Sequence, residues 1–223
     1  KQDITLGADC LGRCEKLEPG RYPRVRVDQA RLALLLGEFD IAGGLWRALL
    51  TQEPGVVGHA EELYTVYRLE AALPPRKKGM VSVTPPRVVA AQRLERSLDP
   101  LASTAPDAAL IALLGWTRTE QNKVEPGLAD FRTAAKRDSL EWRARLNLAI
   151  DAIHRLDPPG AVDHLRVAQK EFNEMDDPAR SRYCSTVGLL LWSNGRKDEA
   201  RRWMDEAHRF DPRNASATLM ESN

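Results

Sequence analysis

Two stretches of the chain decide the fold: residues 36–54, LGEFDIAGGLWRALLTQEP, and residues 194–212, NGRKDEARRWMDEAHRFDP. Few letters match, yet a glycine, a small residue, a large apolar residue and a closing proline stand at the same offsets in both. These residues are Gly37, Ala42, Trp46 and Pro54 in the first stretch, and Gly195, Ala200, Met204 and Pro212 in the second. Such internal repetition predicts an array of stacked units rather than one closed core.

The middle of the chain repeats the same pattern more loosely. Gly127 and Phe131 stand in the small and large positions, and Ala161 and Leu165 follow them at a spacing of 34 residues. Apolar residues recur three and four apart, as in ALIALLGW at 109–116, and no segment shows the sustained alternation that is typical of a strand. The sequence therefore predicts an all-α fold built from one reused pair of helices.

These positions resemble the tetratricopeptide repeat, a helix–turn–helix unit of about 34 residues with the pattern W-x2-L-G-x2-Y…A-x3-F…P. The resemblance covers residues 23 to about 214, which is nearly the whole chain. It implies a right-handed α-solenoid of about five such pairs, in which each pair buries the apolar face of the next and the first helices line a concave surface. The five units are placed at residues 23–56, 57–100, 108–141, 142–175 and 181–214.

Three segments depart from this pattern. Residues 1–22 are predicted to be an N-terminal extension or cap helix, and residues 215–223 the start of a C-terminal capping segment. Residues 74–86, PPRKKGMVSVTPP, interrupt the second unit, and their paired prolines favour extended backbone. This insertion is either a solvated loop or a docking loop for a partner. Its basic residues are Arg76, Lys77 and Lys78.

Prolines are expected to mark the ends of helices, because proline lacks a backbone donor and clashes with the preceding turn. On this basis a helix of the second unit ends at Pro100, and residues 99–106 form a break before the third unit. The pair Pro158 and Pro159 is assigned to the turn between the two helices of the fourth unit. Gly195, which follows an asparagine, is interpreted as a left-handed helix stop.

The composition and motifs exclude several functions. The 223 residues carry 33 Lys and Arg against 32 Asp and Glu, a net charge of +1, whereas general nucleic-acid binders show a marked basic excess. No apolar run approaches the roughly 20 residues that span a bilayer. The four histidines lie in separate segments, and the HExxH, GxSxG, P-loop and GxGxxG motifs are absent. We therefore expect a non-enzymatic protein without a cofactor or a metal ion.

The cysteines and the first residue bear on the compartment. Cys10 and Cys14 stand four apart in CLGRC, and they either form a disulfide, bind a ligand or remain two plain thiols. A disulfide would favour an exported protein. Because the sequence begins at Lys1 rather than at Met, a signal peptide or lipid anchor upstream would leave no trace in it. A periplasmic or outer-membrane-associated location is favoured over a cytoplasmic one.

The resemblance implies a binding surface on the first helix of each pair. The residues mapped to this concave face are Arg31, Thr65, Arg68, Trp116, Glu120, Arg143, Ile150, His154, Leu189 and Trp192. Trp116 and Trp192 are either anchors for a bound peptide, since tryptophan and arginine dominate binding hot spots, or packing residues. Trp46, Trp142 and Trp203 are expected in the core or at its edge.

The residues of this chain do not match the carboxylate clamp that some members of the family use to bind chaperones. Chaperone-binding members of the family hold a C-terminal carboxylate with lysine and asparagine on successive first helices, and here those places hold Val27, Arg31, Glu62 and Ala109. The predicted function is an adaptor or scaffold for a protein or peptide, in the setting of bacterial envelope, pilus or secretion assembly. Two alternatives stay open: a regulatory or accessory domain of a larger enzyme or sensor, and self-association through an end of the solenoid.

Overall fold

The computed structural model describes residues 23–53, 56–72, 84–104 and 107–212, together with residues 11, 13 and 16. From residue 23 onward, the described residues form ten α-helices, one 3-10 turn and no strand. The α-helices are α1 (Pro23–Leu36), α2 (Phe39–Gln52), α3 (Val57–Ala72), α4 (Pro86–Thr104), α5 (Ala108–Glu120), α6 (Val124–Arg137), α7 (Trp142–His154), α8 (Pro158–Gln169), α9 (Asp177–Ser193) and α10 (Lys197–Phe210), and the 3-10 turn is Phe172–Glu174. The predicted all-α class, built from helix–turn–helix pairs, is confirmed.

Several sequence predictions fall outside the described residues. These are the state of Cys10 and Cys14, the basic residues Arg76, Lys77 and Lys78 of the insertion, the capping segment 215–223 and, apart from residues 11, 13 and 16, the N-terminal cap at 1–22. All of them stay predictions, as do the boundaries of the five units.

The chain divides into two compact units, residues 1–127 and 128–223. In the first unit each helix from α1 to α5 packs on the next, and the first helices α3 and α5 also touch. A fully buried leucine contributes about 1.5–3 kcal/mol through its removal from water. The core of the first unit contains large, fully buried side chains from α2, α3, α4 and α5. Among them are Trp46, Leu49, Leu63, Leu94 and Leu110.

In the second unit, α7 packs on α8 and α9 on α10, while the first helices α7 and α9 touch each other. Buried members of its core include Leu146, Ala161, Leu165, Cys184 and Met204. An aromatic group extends this core, because the ring of Phe172 lies edge-on to those of Tyr183 and Phe210, with centroids 5.4 and 5.9 Å away.

Four of the turns that follow a first helix use the same backbone device, a residue in the left-handed region. These residues are Gly37 (φ 77°), Asn122 (φ 64°), Leu156 (φ 58°) and Gly195 (φ 77°). Glycine adopts this conformation freely because it has no Cβ, whereas a leucine pays a steric penalty. The prediction that Gly195 ends a helix is confirmed. Because the left-handed conformation recurs after four first helices, the repeat is also visible in the backbone dihedral angles.

Pro100 does not end a helix, contrary to the sequence prediction, because α4 continues through it to Thr104. A proline inside a helix removes its own N–H and clashes with the carbonyl four residues earlier, at a cost of about 3 kcal/mol. Leu98, just before it, is fully buried, and Leu101, just after it, packs against the same core. Burial on both sides of the proline offsets the local cost, so the expected break at residues 99–106 does not begin where the sequence placed it.

Pro158 and Pro159 begin a helix rather than form the turn to which the sequence assigned them. They occupy the first turn of α8, where backbone N–H groups have no partner inside the helix and proline is therefore tolerated. The Asp157 carboxylate accepts the Gly160 N–H at 3.1 Å and caps the helix. The turn itself comes earlier, with Leu156 at its left-handed position.

Glycines allow neighbouring helices to approach closely. A Cβ added to Gly127 would lie 2.7 Å from the carbonyl oxygen of Gly115, and one added to Gly188 would lie 3.2 Å from the carbonyl oxygen of Ala200. Both distances are tighter than ordinary contacts, so a side chain there would force the helices apart. These glycines therefore stand where two helices approach closely.

Glu95 of α4 accepts hydrogen bonds from three side chains at the end of α5 and in the turn after it. Its carboxylate accepts from Arg118 Nε at 3.1 Å, Gln121 Nε2 at 2.8 Å and Lys123 Nζ at 2.7 Å. Burial of the side chain opposes its ionisation, but the hydrogen bonds from Lys123, Gln121 and Arg118 together outweigh burial and lower the pKa of Glu95. The charged carboxylate therefore stabilises the packing of α4 on α5.

We expect Gly127→Ala to lower the free energy of unfolding by about 1–3 kcal/mol, because the new methyl group meets a backbone carbonyl that cannot rotate away. Gly44→Ala in α2 of the same unit is the matched control. Its added Cβ meets nothing within 4 Å, and the better helix propensity of alanine should raise stability by about 0.5–1 kcal/mol. Urea unfolding followed by circular dichroism measures both, and effects of the same sign would contradict the close approach at Gly127.

Glu95→Gln should lower the free energy of unfolding by about 1–2 kcal/mol at neutral pH, because it weakens three charge-assisted hydrogen bonds. A carboxyl whose pKa falls on folding stabilises the protein above its ordinary value of 4.5 and loses that contribution as the pH drops below it. The difference between Glu95→Gln and the unsubstituted chain should therefore shrink in acid. Asp99→Asn, which alters a mostly exposed partner of the same Arg118, should cost under about 1 kcal/mol. A Glu95→Gln loss that stays constant from neutral to acid pH would refute this account.

Candidate protein-binding face

An ion pair joins α1 to α3 on the first helices of the first unit. Arg31 Nη2 donates to Glu62 Oε1 at 3.2 Å. The pair borders a cleft of about 370 Å³, named here the α1–α3 cleft, whose lining residues are Val27, Arg31, Trp46, Val56, Gly58, His59, Glu61, Glu62 and Thr65. Two residues that the sequence analysis selected, Arg31 and Thr65, therefore line one cleft.

Trp46 and His59 are the buried members of this lining, with 1% and 8% of their surface exposed. Their ring centroids are 5.6 Å apart, and His59 Nε2 lies 3.3 Å from Glu53 Oε2. The indole N–H of Trp46 has no hydrogen-bond partner among the residues that the structure describes. The prediction that Trp46 is a core residue is confirmed, and the structure adds that it also lines a cleft and carries a donor without an acceptor.

An aromatic pair joins α3 to α5. The rings of Tyr64 and Trp116 meet edge to face, with centroids 4.7 Å apart and planes inclined by 80°. Both side chains are half-buried and pack against the core of the first unit. Trp116 therefore packs on one side and stays partly open to solvent, and its role as an anchor for a peptide stays a prediction.

Arg68 and Glu120 place charges of both signs near this pair. Burial and then the Glu120 carboxylate raise the pKa of the Tyr64 hydroxyl, whereas the guanidinium groups of Arg68 and Arg87 act in the opposite direction. Arg68 is exposed and Glu120 half-buried. We call the group Tyr64, Arg68, Trp116 and Glu120 the aromatic patch. It lies on two adjacent first helices.

The predicted residues of α7 in the second unit differ in exposure. Arg143 is half-buried, with its Cζ 4.4 Å from the ring centroid of Trp142, so the cation lies over the aromatic face. Ile150 is half-buried and His154 is exposed. Trp142 packs at the edge of the core of this unit, as expected for it from the sequence.

The predicted residues of α9 are Leu189 and Trp192, and both are half-buried. Leu189 packs against the core of the second unit, and the ring of Trp192 carries the Lys197 ammonium 5.2 Å from its centroid. A hydrogen bond joins this helix to α7, because Arg182 Nη2 donates to Asn147 Oδ1 at 2.7 Å. The first helices of each unit are therefore linked by a polar bond.

In the first unit, all five predicted residues lie on the first helices α1, α3 and α5: Arg31, Thr65, Arg68, Trp116 and Glu120. Tyr64 was not among the residues predicted for this face. A signal for it existed, because Tyr64 stands four positions before Arg68 and so shares its helix face. The pairing of Arg31 with Glu62 depends on the register between two helices and had no comparable sequence signal.

The described residues give little sign of metal or thiol chemistry. They contain no group of three or more His, Cys, Asp or Glu side chains that could hold a metal ion. Burial raises the pKa of the Cys184 thiol to about 11, so this cysteine stays protonated at neutral pH. None of the helices in this part of the chain combines the length and the apolar composition that crossing a bilayer requires.

Comparison with known proteins gives structural likeness without sequence likeness. No protein-family model matches the chain, and no curated protein matches it significantly. PilW, described as a widely conserved type IV pilus biogenesis factor, matches with a TM-score of 0.56 and 13% identity over 99% of this chain and 91% of its own. YrrB, described as a TPR protein with an unusual peptide-binding site, has a TM-score of 0.48 and 12% identity over 97% and 100% of the two chains. MamA from Desulfovibrio magneticus RS-1 has a TM-score of 0.44 and 14% identity over 79% and 98%.

The architecture agrees with the likeness to PilW. Helices follow one another in pairs, four turns after a first helix contain a left-handed residue, and glycines stand where helices approach. These features are those expected of stacked helix–turn–helix repeats. The chain has the fold of the tetratricopeptide-repeat family.

Proposed function

We propose that this chain is a non-enzymatic, protein-binding scaffold that holds a peptide segment or a protein partner against the first helices of its helix pairs. The observation that carries the proposal is the aromatic patch, in which the half-exposed Trp116 packs edge to face against Tyr64 with charges of both signs nearby. Tryptophan and arginine contribute disproportionately to binding free energy. A ring already packed on one side also loses little conformational freedom when a partner covers the other.

The second unit offers a surface of different chemistry. Ile150, Leu189 and Trp192 leave apolar surface partly open on α7 and α9, with Arg143 and His154 on the same pair of helices. Apolar side chains that are half-exposed before binding supply the buried centre of an interface, and charged ones supply its rim. This surface of the second unit therefore suits an apolar stretch of a partner.

Within this proposal, the setting that we favour is the assembly of a bacterial envelope machine such as a pilus or a secretion system, in the periplasm or at the outer membrane. PilW, whose fold this chain shares, is described as a type IV pilus biogenesis factor. The gene sequence upstream of Lys1 tests this setting. A signal peptide that ends in a lipobox cysteine would support it, and a start codon directly before Lys1 would refute it.

Peptides selected from a displayed random library on the whole chain should bind through the first helices. We expect Trp116→Ala or Trp192→Ala to weaken the binding of each selected peptide by about tenfold or more, because each removes a large anchoring ring. Arg132→Ala, at an exposed position on the second helix α6, is the control and should leave affinity unchanged. Fluorescence anisotropy gives the dissociation constants, and circular dichroism checks that every variant is folded.

The proposal fails if both tryptophan variants remain folded and still bind every selected peptide as tightly as the unsubstituted chain. It also fails if the library yields no peptide whose binding saturates.

A further inference from the structure

The first helix pair carries a groove that is lined by α1, α2 and the turn between them. The groove has a volume of about 290 Å³, and its lining residues are Gln29, Ala33, Leu36, Glu38, Ile41 and Leu45. We name it the α1–α2 groove. We propose that the chain's own N-terminal segment, residues 1–22, covers this groove as a helix that runs antiparallel to α1. The proposal concerns a contact within the chain, so it stands apart from the binding of a partner.

The groove leaves apolar surface open at the beginning of the repeat array. Four of its six lining residues are apolar, and Leu36 and Ile41 keep 36% and 55% of their surface exposed. In stacked repeats each pair covers the apolar side of the next, so the outermost pair needs a capping element. α1 and α2 are the first complete helix pair among the described residues. The cap must therefore come from the preceding segment, from a second copy of the chain or from a partner.

The segment that precedes α1 has the length and the turn signal that such a cap needs. Pro19 and Gly20 predict a turn shortly before α1 begins at Pro23. A helix that precedes this turn runs back along α1, and both helices advance by about 1.5 Å per residue. A reversal at Gly20 therefore places Ile4 opposite Leu36, which lines the groove.

The same register brings one face of the segment onto the groove. It places Gly7 opposite Ala33 and Leu11 opposite Gln29, and both of these α1 residues line the groove. Ile4 and Gly7 stand seven and four positions before Leu11, so the three residues share a helix face. This face has no charged group, and its glycine meets an alanine, which allows two helices to approach closely.

The three residues of the segment that the structure describes agree with this face. Leu11, Arg13 and Lys16 are all helical, and Leu11 is half-buried whereas Arg13 and Lys16 are exposed. Two and five positions after Leu11 correspond to about 160° and 140° around a helix, so both cations lie on the side opposite Leu11. The segment therefore contacts protein on the side of Leu11. Among the candidates for the cap, it is the one for which the described residues show a half-buried apolar side.

Thiol modification tests the cap in the whole chain, because Cys10 and Cys14 belong to the segment. Cys14 stands three positions after Leu11 and shares its helix face, and Cys10 flanks that face. The third cysteine, Cys184, is buried and its pKa is raised to about 11, so it reacts slowly while the chain is folded. Under reducing conditions we expect a maleimide to modify Cys14 at least about tenfold more slowly in the folded chain than in urea.

Ile41→Gln should raise the modification rate of Cys14 by about tenfold, because a polar side chain in the groove weakens the packing of the cap. Leu11→Gln alters the same contact from the other side and should act likewise, so it decides if Ile41→Gln does not fold. Val162→Gln, at a 40% exposed position on α8 of the second unit, is the matched control and should leave the rate unchanged. Mass spectrometry of the modified peptides gives the rates, and circular dichroism checks folding.

A cross-link distinguishes this segment from a second copy of the chain. Gln29→Cys adds a thiol opposite Leu11, and a bismaleimide that spans about 10 Å, the spacing of two packed helices, should join it to Cys10 or Cys14 within one chain. Links that join two chains instead would overturn the inference, because a second copy would then cover the groove. A folded Ile41→Gln variant with an unchanged rate, or a Cys14 that reacts as fast in the folded chain as in urea, would overturn it too. Selected peptides that depend on Trp116 leave the proposed function standing in either case.

Discussion

Each helix pair in this chain has an apolar side that only its neighbours can bury, and this constraint determines the rest of the structure. In the first unit, Leu63 of α3 and Leu94 of α4 have no exposed surface, because they share one core with residues of α1, α2 and α5. Burial of this kind is a property of adjacent pairs and not of any single one. The same packing sets the first helices side by side, so side chains from different repeats meet, as Tyr64 and Trp116 do.

The fold could be predicted from the sequence because repetition is visible as spacing. Small residues recur where helices approach. The left-handed turn at Gly195 could be predicted because glycine is the usual residue in that conformation at the end of a helix. Pro100 misled the prediction for a physical reason: the local cost of a helical proline is smaller than the gain from burying the leucines near it, and that burial depends on neighbouring helices. Local rules of this kind identify elements well and their ends less well.

The residues of the candidate face could be predicted from the sequence, but their contacts could not. The resemblance to the repeat family was enough to assign Arg68 and Trp116 to the first helices of their pairs. It was not enough to pair Arg31 with Glu62, since that pair depends on the offset between two helices. The lack of a hydrogen-bond partner for the Trp46 indole N–H among the described residues could not be predicted either, because it depends on which atoms surround one nitrogen in a packed core. The repeat pattern therefore predicts which helix carries a residue, and only the packed structure gives the contacts of that residue.

The left-handed turns limit how much of the repeat can be recognised from residue types alone. Two of the four left-handed residues are glycine, whereas the other two are Asn122 and Leu156. A non-glycine residue in that conformation costs about 1–3 kcal/mol, which the favourable interface of a repeat with its neighbours can offset. The signature of a repeat can therefore be absent from the residues of a turn while its backbone conformation is present. Chains with few residues in common can share this architecture, as the 13% identity between this chain and PilW illustrates.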